Sequence, residues 1–245
     1  MKRKIITITV LLLFYPLTNS LYSNDNFNEE NIEEIEDIIK NYILNNPEII
    51  LESVERYRNK EAKKAEQNKK LVLEKFKEQI YSKDLPFIGA ENPETILVEF
   101  VDYNCGYCKK TLAAILTLVE QIPTLKVILR DYPILAPSSE LAARAALAAN
   151  KQGRYIDFHQ ALLTQRSNID INLLITVGKE IGLDTDLLQK DMNSKEIYSK
   201  VAETTSLAQS LDIRGTPTFI LGDKIVPGAL DVKALKTLIE SHETN

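Results

Sequence analysis

Only two cysteines occur in the 245 residues, and they stand as Cys105-Gly106-Tyr107-Cys108. Two thiols at this spacing can close into a disulfide and reopen, because on a helix the second lies about one turn beyond the first. The pair sits where an apolar run, Ile96-Leu97-Val98-Glu99-Phe100-Val101, gives way to a helical pattern from Lys109 to Glu120. At such a junction the first sulfur lies at the helix N-terminus, where unpaired amide N–H groups and the helix dipole stabilise a thiolate. The chemistry this predicts is dithiol–disulfide exchange. Other readings of the motif fare worse. A structural zinc takes about four N or S ligands, and beyond the pair the chain offers only His159 and His242, both distant in sequence. Covalent haem attachment needs His directly after the second cysteine, where Lys109 stands. A purely structural disulfide closing so short a loop would constrain the unfolded chain little.

Two further features would serve a redox pair. Glu99 interrupts an otherwise apolar strand just before the cysteines. Buried there, its carboxyl would have a raised pKa and could pass a proton to or from Cys108. The plainer alternative is a strand-end glutamate facing water. Arg214-Gly215-Thr216-Pro217-Thr218 precedes a later strand. Proline cannot donate to a sheet ladder, and a cis Thr216–Pro217 peptide would explain its place and present a backbone edge beside the sulfurs. Tyr103 and Tyr107 would add an apolar rim for a bound chain, although Tyr107 could equally pack over the helix start.

The elements that must position these residues follow from periodicity. Thr95 to Val101 reads as a buried strand and Leu125 to Arg130 as a second, with the cysteine helix between them. The near-continuous Val-Ile-Leu pattern suits a parallel pair covered on both faces, joined by a right-handed crossover. Leu85 to Gly89 suits a short edge strand. Residues 138–211 read as helical throughout. Thr216 to Leu221 and Lys224 to Val226 then form a hairpin around Gly222-Asp223, and Val232 to Glu240 an amphipathic helix. The predicted order is βαβ, a helical block, then ββα.

Upstream, residues 24–82 read as a charged helical stem. Ile32, Ile35, Ile38, Ile39, Tyr42 and Ile43 share one helical face. Asn46 is a candidate N-cap with Pro47 at the first position of a second helix, which carries Ile49, Ile50, Val54 and Tyr57. Such a face cannot be hidden alone in water, so the sequence predicts homo-oligomerisation through residues 24–82. A new domain is expected near Lys83. At the extreme N-terminus, Lys2, Arg3 and Lys4 precede an apolar run from Ile5 to Leu17 that is short for a membrane span. Residues 1–23 therefore read as a signal peptide, cleaved near Ser20 or Ser23, which predicts export to the periplasm. The net charge of −5 provides no basic field for nucleic acid.

Taken together, Glu99 to Cys108, Gly215-Thr216-Pro217-Thr218-Phe219 and the inserted helical block resemble the thioredoxin fold, specifically the exported DsbA-like thiol:disulfide oxidoreductases. The resemblance covers about residues 83–243. It implies an α/β thioredoxin fold with a helical insertion at about 138–211, Cys105 as the exposed nucleophile, Cys108 as the resolving partner and Pro217 as a cis proline. Strongly oxidising members carry Pro-His between the cysteines. Gly106-Tyr107 stands there instead, the dipeptide of dimeric DsbC-type isomerases, whose relatives also carry oligomerising N-terminal segments. The expected activity is to form or rearrange disulfides in unfolded or misfolded exported proteins, without a cofactor, with a membrane redox partner resetting the dithiol. Thr216, Pro217 and Tyr107 are expected to contact the client. The competing reading is a non-catalytic chaperone or binding module on a thioredoxin scaffold.

Overall fold

The computed structural model describes residues 29–243; the expected signal peptide lies outside them. The chain separates into two compact units, one ending at Lys60 and the other running from Glu61.

The first unit contains α1 (Glu29–Asn45) and the opening turns of α2 (Glu48–Lys75). The break between the helices falls at Asn46-Pro47, as the sequence suggests, but Asn46 acts differently from the expected N-cap. Its side-chain amide donates to Tyr42 O at 2.8 Å and so caps the end of α1. Ile38, Tyr42, Leu44, Leu51 and Tyr57 are all exposed in this unit. Two helices with this much bare apolar surface lack the burial that would hold them against chain entropy.

The second unit is built on a five-stranded sheet of order β1-β3-β2-β4-β5. The strands are β1 (Phe87–Gly89), β2 (Thr95–Val101), β3 (Leu125–Asp131), β4 (Thr218–Leu221) and β5 (Lys224–Pro227). β2 and β3 are parallel, from Thr95 opposite Leu125 to Val101 opposite Asp131. Their crossover is α4 (Gly106–Gln121), which carries the cysteine motif. β1, β4 and β5 add antiparallel neighbours. Between β3 and β4 stands the inserted helical block: α5 (Pro137–Lys151), α6 (Tyr155–Thr164), α7 (Ile171–Glu180), α8 (Thr185–Met192) and α9 (Lys195–Ser210). Its helices start where the sequence supplies caps. Pro137 occupies the first turn of α5, and the Asp170 and Asp184 carboxylates accept from backbone N–H groups of α7 and α8. The short α3 (Lys77–Ile80) precedes β1, and α10 (Val232–Glu243) closes the chain. This is the thioredoxin fold with a helical insertion.

Alternate residues of the central strands feed two cores. Leu97, Val101, Val127 and Leu129 pack with Ile115 and Leu118 of α4 and with α6. Val98, Phe100, Ile128 and Ile220 pack on the other face against Leu207 and Leu211 at the end of α9. That second face is completed from upstream by Leu73, 5 % exposed, and Ile80, 0 % exposed. Sequence patterning put the start of the domain near Lys83, whereas the compact unit begins at Glu61. Of the apolar residues that resume at Leu71, Val72, Leu73, Phe76 and Ile80 pack into this core, while Leu71 itself stays exposed.

Candidate active site

Strand β2 delivers the chain to the site through the loop Asp102-Tyr103-Asn104. Cys105 is the N-cap of α4, in extended conformation, and its Sγ accepts the Cys108 backbone N–H at 3.3 Å. The sulfur thus takes the place of a capping oxygen, where an anion is favoured by the free amides and the dipole. On its other side Sγ lies 3.1 Å from Thr216 O, to which the thiol donates. The Thr216–Pro217 peptide is cis, so the two motifs separated by more than a hundred residues meet at one sulfur. A Cβ added at Gly106 would meet nothing within 4 Å, which leaves an open approach beside Cys105. Tyr107 is 63 % exposed at this mouth, with Lys110 Nζ 5.4 Å from its ring centroid.

Cys105, expected to be the exposed thiol, is itself only 4 % exposed, with the Thr216 carbonyl lying against its sulfur; Cys108 lies deeper still. It is fully buried. Burial pushes its thiol well above the ordinary range, and the charge of Glu99 adds to this. Glu99 itself is 2 % exposed, paired with Leu129 on one side and Phe219 on the other. Burial raises its carboxyl to about 8, with the nearby Cys105 charge contributing. Glu99 therefore keeps its proton at neutral pH, beneath a buried thiol, rather than facing water.

Sequence reasoning left out the group that holds the loop. Asp102 is 1 % exposed. Its carboxylate accepts from Asn104 N at 2.8 Å, Ile134 N at 2.9 Å, Leu135 N at 3.0 Å and the Ser139 hydroxyl at 2.7 Å. Asn104 Nδ2 donates to the hydroxyls of Ser138 and Ser139. These bonds tie the cysteine loop to the start of α5. The available signal was a pair of short polar residues, Asp102 and Asn104, immediately before a helix cap. Tyr103, expected at the rim, is 1 % exposed; it points inward because its hydroxyl finds buried partners on α6, Tyr155 and His159. His159, to which the sequence gave no role, is fully buried among them and stacked on Tyr155. Among the described residues no cluster of His, Cys, Asp or Glu could hold a metal ion.

Comparison with known proteins matches residues 96–240 to the DSBA-like thioredoxin domain. The chain belongs to this family. Residues 33–64 match a second family, the copper resistance protein ScsC N-terminal domain. A thioredoxin-like oxidoreductase from Silicibacter pomeroyi DSS-3 is 35 % identical, with a TM-score of 0.66 over 69 % of this chain and 98 % of that one. The thiol-disulfide exchange protein alpha-DsbA2 from Wolbachia pipientis is 31 % identical, TM-score 0.68, over 72 % and 97 %. A linker-deletion mutant of Proteus mirabilis ScsC is 25 % identical, TM-score 0.67, over 91 % and 99 %. Curated relatives include a Na(+)/H(+) antiporter, NhaA 3, from Salinispora tropica, 26 % identical over 62 % of this chain. The chain spans only about a quarter of that relative's length (23 %). The chain shares the DsbA-like thioredoxin fold with proteins described as a thioredoxin-like oxidoreductase and a thiol-disulfide exchange protein, and Cys105 and Cys108 stand in Cys-x-x-Cys spacing.

Proposed function

We propose that the chain forms or rearranges disulfides in unfolded or misfolded exported proteins in the periplasm, with Cys105 as nucleophile and Cys108 as resolving thiol. The observation that carries this is the position of Cys105 Sγ, capped by a helix N–H on one side and 3.1 Å from Thr216 O on the other. A client strand lying along Thr216 and Pro217, with Tyr107 against its side chains, would bring its sulfur to that point. In the reduced protein the Cys105 thiolate attacks a client disulfide, one client sulfur leaves as a thiolate, and a mixed disulfide forms. Glu99, once it has released its own proton to solvent, takes the proton of Cys108, whose sulfur attacks Cys105 Sγ and expels the second client thiolate. Run backwards, the same steps oxidise a client. If a client thiol attacks instead of Cys108, the bond is reshuffled and the protein is released reduced.

Gly106-Tyr107 provides no histidine beside the thiolate. A histidine there would stabilise the reduced thiolate, and its absence weakens the preference for the reduced form. The centre is thus less oxidising than Pro-His members and suited to isomerisation. The bare apolar faces of α1 and α2, together with the ScsC-like match over residues 33–64, support self-association through the stem. Several active sites around one client raise the effective concentration of the second attack. A membrane redox partner would reset the dithiol. A purely binding module would have no use for a protonated acid under a buried thiol.

The test is reactivation of a scrambled-disulfide protein by the mature chain, beside the variant Ile38→Glu, which charges the exposed face of α1. Truncation at Lys83 is the wrong control, because it strips Leu73 and Ile80 from the core. The wild type is expected to restore client activity. Ile38→Glu should sediment as a smaller species, still oxidise or reduce simple thiols, and lose reshuffling. Rapid client oxidation by both proteins with reshuffling by neither would make this a disulfide donor and sink the isomerase reading.

A further inference from the structure

Asp131 ends β3 much as Glu99 interrupts β2, and nothing in the exchange above uses it. In the parallel register Glu99 lies opposite Leu129, and Val101 opposite Asp131. Both acids therefore project to the α4 side of the sheet, one strand and two residues apart. Asp131 is 3 % exposed. The Tyr155 hydroxyl donates to its Oδ1 at 2.8 Å, while Oδ2 is buried without a hydrogen-bond partner. The Tyr103 hydroxyl donates to that of Tyr155 at 3.4 Å and meets His159 Nδ1 at 3.1 Å. His159 Nε2 is also buried without a partner. A bare ring nitrogen is tolerated there better than an orphaned N–H, which puts the proton on Nδ1. The chain then runs one way, from His159 to Tyr103 to Tyr155 to Asp131. Every donor in it points toward the Asp131 carboxyl, the arrangement that favours a negative charge on that group.

The ionisable surroundings are mostly uncharged or acidic. Tyr103 and Asp102 face Asp131 from the active-site loop, Glu99 from β2, and Tyr155 and His159 from α6. Arg130, its neighbour on β3, points through the sheet, where its Nε donates to Ile80 O at 3.3 Å and its guanidinium lies 6.0 Å from the Phe100 ring. Asp84, Lys200 and Glu203 share with Asp131 the lining of a cavity of about 540 Å³. Burial raises Asp131 to about 7, and the Tyr155 and Tyr103 hydroxyls pull it down. Glu99 is raised to about 8 by burial and by the charge of Cys105, whereas Asp131 has the Tyr155 hydroxyl donating to it.

We propose that Asp131 is a positioning residue for the exchange: ionised with the help of Tyr155, it adds a negative charge to the floor of the site and delays the ionisation of Glu99, which must be ionised to take the Cys108 proton. This rests on the roles given above to Glu99 and the two thiols. Two like charges on one low-dielectric face resist ionising together, so the second acid titrates later than it would alone.

The test uses the full mature chain, reduced, with 5,5′-dithiobis(2-nitrobenzoate) in a stopped-flow spectrometer. The Cys105 thiolate attacks the reagent and releases a first thionitrobenzoate. Cys108 then loses its proton, attacks Cys105 Sγ, breaks the mixed disulfide and releases a second. The rate of the second release is followed from pH 5 to 10. In the wild type it should rise with an inflection set by Glu99, and Glu99→Gln should remove that inflection. Asp131→Asn keeps an oxygen for Tyr155 to donate to but removes the charge. It should move the inflection down, making the second release about three- to tenfold faster near pH 7 and equal to wild type above pH 9. Tyr155→Phe, which leaves the acid in place without its donor, should move it the same way. If both profiles superpose on wild type, or are scaled by one factor at every pH, Asp131 has only a structural role and the proposal falls. If the first release in the wild type is no faster than that of an ordinary thiol, the reading of Cys105 falls, and the proposal with it. If Glu99→Gln keeps the inflection, the Glu99 role is what fails.

Discussion

The two faces of the central sheet are made by the same strands and differ in what they bury. Toward α4, β2 and β3 present Leu97, Glu99, Val101, Leu129 and Asp131; toward α9 they present Val98, Phe100, Ile128 and Arg130. Each face thus holds ionisable groups among apolar ones. On the α9 face, burial lowers Arg130 only to about 10, so it stays charged at neutral pH and serves packing. On the α4 face, burial brings Glu99 to about 8 and Asp131 to about 7, where protons come and go under working conditions. A cation starts so far from neutrality that similar burial leaves it inert, whereas a carboxyl is carried into the useful range. Of these ionisable groups, only those on the α4 side are brought close to neutral pH.

That contrast can be broken by substituting one residue on each face. Phe100→Ala opens a cavity in the α9-side core and should cost about 3–5 kcal/mol, read as a shifted urea midpoint. The reactivity of Cys105 in the folded fraction should not change. A changed thiol pKa would show that the faces are coupled. Glu99→Gln should act with the opposite sign. The folded Glu99 titrates near 8 and an unfolded one near 4.5. Between those values the native state holds a proton that the unfolded chain has shed, so stability falls as pH rises through this window. The amide escapes that loss. Glu99→Gln should match wild type at pH 4 and be roughly 3 kcal/mol more stable at pH 7, while resolving mixed disulfides more slowly. Equal stability at both pH values would refute the buried-acid account. The smallest effect sharpens the same comparison at the loop. Ser139→Ala removes one of four donors to Asp102 and should cost about 1 kcal/mol, while loosening Cys105 enough to change its alkylation rate. Calorimetry with iodoacetamide kinetics would show whether the loop tether is felt at the sulfur.

Much of the fold could be read from patterning. The apolar runs at 95–101 and 125–130, the Pro/Gly punctuation and the helical block gave the element order, because strand and helix periods are local properties. The cysteine spacing and Glu99 were legible because a lone acid in an apolar run is anomalous in one dimension. Asp131 bears the same mark at the end of its strand, yet went unread because the predicted strand stopped at Arg130. Tyr103, Tyr155 and His159 gave no such sign. An aromatic at helical spacing looks like any core residue until its hydroxyl has a neighbour.

The sequence by itself determined the dithiol, its place at a helix start and the family it resembles, since these depend on residue type and separation along the chain. Only the tertiary structure decided which residues surround it. It set Thr216 O against Cys105, turned Tyr103 inward, assigned Leu73 and Ile80 to the unit that carries the cysteines and put two acids on one face. Each of those depends on segments far apart in the chain meeting where water is excluded, and burial, which no local pattern specifies, then sets what their carboxyls and thiols can do.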